Sequence, residues 1–145
     1  MAIARKLMSG MFNGLAAAKL DLDAKLKSYI ETALWSSSDN ADESGGEPLD
    51  KNYGINDLAP KAVEKMRRDV NKFFEENAKD IELAASEGQD GKQVAHDFWL
   101  TRNGHGAGFW DGDYSEELGN RLTAAAEKFG EQDIVIGDDG KLYAE

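Results

Sequence analysis

The chain has 145 residues, 41% hydrophobic and 31% charged, which suits one domain with one core and excludes a disordered composition. It contains no cysteine, so disulfide frameworks, thiolate metal sites and cysteine nucleophiles are excluded. The net charge is −11; residues 1–28 balance to +3 and the remainder to −14, an excess that argues against direct nucleic-acid binding and for partners with basic surfaces.

Taken in chain order, the opening stretch Met1 to Leu20 carries Arg5 and Lys6 but is interrupted by Gly10, Asn13 and Gly14. With no apolar run near the roughly 18 residues of a membrane span, residues 1–19 are expected to form a flexible basic arm and not a leader or anchor. Residues 20–145 are expected to form the globular domain. "LDLDAKLKSYIETALW" (20–35) sets Leu22, Leu26, Tyr29, Ile30, Ala33 and Leu34 at helical spacing, with Asp21 and Asp23 at the end where the helix dipole favours carboxylates. The Ser-, Gly- and acid-rich stretch that follows predicts a mobile acidic loop over 36–56.

"NDLAPKAVEKMRRDVNKFFEENAKDIELAA" predicts one long helix, capped by Asn56 or Asp57 and buried along Val63, Met66, Val70, Phe73, Phe74 and Ile81. Its six basic and seven acidic side chains between Asp57 and Glu82 nearly cancel, as on an ordinary solvated face. "KQVAHDFWLTRNG" predicts a helix stopped at Asn103-Gly104. A glycine-rich turn, "GHGAGFWDGDY", leads to a helix capped by Ser115, and "DIVIGDDGKLYAE" predicts a β-hairpin. The expected fold is therefore α+β: a mostly helical single domain of about four helices with a C-terminal β-hairpin. Its core is expected around Trp35, Phe73, Phe98, Trp99 and Trp110, with the glycines allowing a reversal that stacks Trp99 on Trp110.

Several chemistries are drawn by the segment 95–114. Gly104, Gly106 and Gly108 could let a phosphate approach the backbone, but the loop has no lysine and no helix directly after it. His96 and His105 with nearby aspartates suggest a metal pair, and "DGDYSEELGNRL" matches a calcium loop at Asp111, Asp113 and Ser115 but fails at Glu116 and Leu122. A hydroxyl such as Ser115 or Thr101 with His105 and Asp111 sits in no nucleophile elbow. The ligand-binding reading of this turn rests on Arg102, Asn103, His105, Gly106 and Asp111, with no catalytic residue, metal or cofactor assigned. The competing reading is a surface: Asp111, Asp113, Glu116 and Glu117, with Asp138 and Asp139, would form an acidic face that meets a basic groove.

"YIETALWSS" (29–37), "YGINDLAP" (53–60) and "HDFWLTRNGHGAGFWD" (96–111) resemble a family of small bacteriophage-encoded proteins. The resemblance runs from about Tyr29 to the final hairpin and leaves residues 1–28 outside it. It implies a phage or prophage origin and a host-cytoplasm setting; the family has no settled activity, so it implies no site residues. The expectation is a non-enzymatic phage accessory protein that binds a host or phage protein with a basic surface, without direct nucleic-acid or membrane binding. An acidic inhibitor of a host defence system, of anti-restriction or anti-CRISPR type, is one form of this. The alternatives are a small-molecule, nucleotide or metal-binding protein working at the turn, and a virion or assembly component.

Overall fold

A computed structural model of the chain describes residues 22–39, 46–105 and 107–145. The expected arm at 1–19 and the middle of the expected acidic loop (40–45) lie outside the described residues. Helix α1 (Ala24–Ser36) starts where Asp23 accepts a hydrogen bond from the Leu26 N–H at 2.9 Å. The 36–56 stretch holds a two-residue antiparallel ladder, β1 (Ser38–Asp39) with β2 (Glu47–Pro48), and then short 3-10 turns at Leu49–Lys51 and Ile55–Asp57. Leu49 is buried against α1, so part of this loop belongs to the core.

The long helix expected over 56–85 is two helices, α2 (Pro60–Glu76) and α3 (Ala78–Ser86). Asn77 breaks the run at φ −118° and ψ 26°, its backbone N–H and its Nδ2 both donating to the Phe73 carbonyl. A side chain that bonds nearby backbone in this way competes with the helical ladder. The start also differs: Ala59 is the N-cap and Pro60 the first helical residue, while the Asp57 carboxylate accepts from the Gly54 N–H at 2.7 Å and closes the preceding turn.

Helix α4 (Gly91–Arg102) is the centre of the fold, with eight of its residues buried, and it packs along α1. It ends as the sequence predicts: Gly104 adopts φ +68°, and the N–H groups of Gly104 and His105 reach back to the Thr101 and Leu100 carbonyls. Helix α5 (Glu116–Glu127) packs on α3 and α4. Ser115 is its N-cap by position, but it makes no cap bond within the helix. Its N–H and hydroxyl both donate to the Glu87 carboxylate at 2.8 Å, tying α5 to the end of α3 and holding the Glu87 carboxyl below its ordinary value.

The hairpin is β3 (Ile134–Ile136) antiparallel to β4 (Leu142–Ala144). Beyond β4, Leu58 pairs with Leu142, and the Ala59 N–H donates to the Leu142 carbonyl. The chain is thus α+β, with five α-helices among the described residues, one more than expected because of Asn77. No helix among them is long and apolar enough to cross a membrane.

The core is ordered around Phe98, stacked on Phe73 at 4.1 Å and on Tyr29 at 5.2 Å, with Phe129 edge-on. Two expected core residues are outside it: Trp35 is 46% exposed, lying against the His96 ring, and Trp110 is 53% exposed. Trp99 is buried, as expected. It meets the edge of Tyr29 and not Trp110, and its indole N–H donates to Ser36 Oγ at 2.9 Å.

Candidate functional site

The glycine–aromatic loop is fixed from below. Gly108 lies so close to Thr101 that a β-carbon there would meet Thr101 Oγ1, and that same hydroxyl accepts the Phe109 N–H at 3.1 Å. Phe109 is buried, parallel to Phe73 at 5.8 Å and edge-on to Tyr114. Gly119 lets α5 approach the same loop; a β-carbon on it would stand 2.6 Å from the Phe109 carbonyl oxygen. One aromatic of the pair "FW" therefore closes the core, and the other, Trp110, is turned to solvent.

Beneath the loop lies a buried carboxylate. Asp97 Oδ2 accepts from Tyr114 Oη at 2.7 Å and from Gln93 Nε2 at 3.1 Å. Desolvation raises the Asp97 pKa, and those two bonds offset part of the rise. Because the folded-state value is raised, protonated Asp97 favours the fold in acid, and that contribution is lost as pH climbs through the raised pKa. Tyr114→Phe removes one offsetting bond. We expect it to cost about 1.5–3 kcal/mol at neutral pH and less in acid, where Asp97 is protonated, as read from denaturant midpoints at both pH values.

The residues of the ligand-binding reading are not gathered in one place. Arg102 is buried, with Nη1 donating to Tyr29 Oη and Asp69 Oδ2 at 2.8 Å, Nε to the Gly130 carbonyl at 2.8 Å and Nη2 to the Phe129 carbonyl at 3.1 Å. Its donors are committed to the fold. Asp111 is exposed, one oxygen accepting from the Gly108 N–H at 3.3 Å. Gly106 lies outside the described residues. Asn103 and His105 do share a cleft of about 370 Å³, lined also by Ser36 to Ser38, Trp99, Gln132, Ile134 and Val135. Glu131 and Asp133 stand at the same cleft.

Gln132 is the residue that sequence reasoning misses. It is 4% exposed, its backbone N–H donates to Asn103 Oδ1 at 2.8 Å, and its Oε1 is buried without a hydrogen-bond partner. The one available signal is the alternation of the hairpin, which puts Gln132 on the same inward face as Ile134. His96 stands elsewhere, its Nδ1 2.9 Å from Thr32 Oγ1, and no group of three metal-ligating side chains occurs among the described residues.

The residues of the expected acidic face are each exposed: Asp111, Asp113, Glu116, Glu117, Asp138 and Asp139. Four of them follow Trp110 directly, in the loop and the first turn of α5. Asp138 and Asp139 belong to the hairpin turn, where Asp139 accepts from the Lys141 N–H and from Tyr143 Oη. Beside Trp110 is a cleft of about 230 Å³, lined by Phe109, Tyr114, Glu116, Gly119 and Asn120 among others. Comparison of the chain with protein-family models, with curated proteins and with solved structures gives no match.

Proposed function

We propose that this chain is a phage accessory protein that acts by binding another protein, with the surface around Trp110 as its contact. The observation that carries this reading is an indole more than half exposed on a clamped loop, followed by Asp111, Asp113, Glu116 and Glu117, all facing water. Exposed tryptophans rimmed by charge are typical anchors of protein interfaces. A ring amid carboxylates suits lysine or arginine of a partner, through cation–π contact and through steering by the net charge of −11. A basic nucleic-acid-binding cleft of a host defence protein has this chemistry, which makes an acidic inhibitor the preferred form.

The test is affinity capture from bacterial host lysate with three baits at matched concentration. The wild-type chain should retain a protein that both Trp110→Ala and the neutralised Asp111→Asn/Asp113→Asn/Glu116→Gln/Glu117→Gln chain lose. Retention by all three baits, or by none, removes the proposal.

A further inference from the structure

The cleft beside the hairpin combines two unmet hydrogen-bonding features. The first is Gln132 Oε1, buried without a partner, a state that native proteins rarely leave uncompensated. The second is the outer edge of β3. Asp133 and Glu145 exchange both backbone bonds at 2.8 Å, and the Gly137 N–H donates to the Lys141 carbonyl. By the alternation of an antiparallel ladder, Val135 then faces β4, and the N–H and C=O groups of Ile134 and Ile136 point away from it. The far side of β4 is covered by Leu58, so among the described residues β3 is the unpaired edge of the hairpin, and Ile134 and Val135 line the cleft.

We propose that this cleft binds an extended, basic peptide segment, added as a strand on β3, with a lysine or arginine side chain donating to Gln132 Oε1. Strand addition supplies affinity through main-chain bonds and specificity through the side-chain pocket. The sign of the side chain follows from the lining: among the described residues its titratable groups are Glu131, Asp133 and His105, with no lysine or arginine. The free backbone edge favours a peptide over a small amine. This cleft shares no lining residue with the one beside Trp110, so the inference stands or falls independently of the reading above.

The experiment uses the full chain labelled with ¹⁵N, titrated with a short capped peptide of alternating valine and lysine and with its valine–glutamate counterpart. The lysine peptide should shift the Ile134 and Ile136 amides and the Gln132 side-chain NH₂ saturably, and the glutamate peptide should not. Gln132→Met should weaken binding by about tenfold, the scale of one charge-assisted hydrogen bond, while leaving the melting temperature equal or higher. Asp133→Asn, an exposed change, should weaken binding by a smaller factor. Unmoved Ile134 and Ile136 amides, equal binding of both peptides, undiminished binding to Gln132→Met, or equal shifts from butylamine alone would each overturn it.

Discussion

Replacing Arg102 by methionine should lower the unfolding free energy by about 3 kcal/mol, the lower end of the cost of breaking a buried ion pair from one side. The change preserves the length of the stem and deletes every donor. It strands Tyr29 Oη, Asp69 Oδ2 and the carbonyls of Phe129 and Gly130, the last two at the end of α5. It also removes the guanidinium from the faces of Phe98 and Phe129, each 5.6 Å away. The loss stays near the lower end because the Asp69 side chain keeps 24% exposure and can rehydrate. A fall in the urea midpoint at unchanged slope is the expected reading. Arg102→Lys should recover little, since one ammonium cannot replace a fork that reaches four acceptors. If Arg102→Met melts like the wild type, the guanidinium is no keystone of the fold.

Phe98→Ala should cost about 3–5 kcal/mol, the range for removing a fully buried phenyl ring. Phe98 is the ring on which Phe73, Tyr29 and Phe129 converge, from α2, α1 and the end of α5, so the cavity left behind has walls on separate elements. Such walls collapse poorly, which favours the upper half of that range. For a domain of this length each kcal/mol corresponds to about 2–4 °C in Tm, and calorimetry should show a drop of about 10 °C or more. A drop below about 4 °C would mean the cluster repacks freely.

Much of this architecture is legible from pattern alone. The 3.6-residue spacing from Leu26 to Leu34, the Asn103-Gly104 stop and the apolar runs around "GDDG" each report a local rule that tertiary context leaves intact. The helix break at Asn77 is hidden because the apolar period runs on past it and only the backbone of Asn77 itself, at φ −118° and ψ 26°, departs from the helix. Aromatics mislead by size. Trp35 and Trp110 are as hydrophobic as Trp99, and only three-dimensional placement decides which ring the core takes. Arg102 shows the same limit from the polar side. At a helix end next to a glycine turn it is placed with the ligand-binding residues, yet it closes on carbonyls of residues 129 and 130 that no sequence window brings near it. The exposure of the acidic positions is the simplest feature to read, because a carboxylate with no buried cation to meet stays at the water-facing surface.

The glycine–aromatic loop sends Phe109 inward and Trp110 outward. Parallel thermal unfolding of Phe109→Ala and Trp110→Ala measures that division directly. Phe109→Ala should melt about 6 °C or more below the wild type, and Trp110→Ala should stay within about 2 °C of it, as an exposed substitution does. Equal destabilisation by the two, or a larger loss at Trp110, would place the indole in the core and leave the proposed contact surface without its anchor.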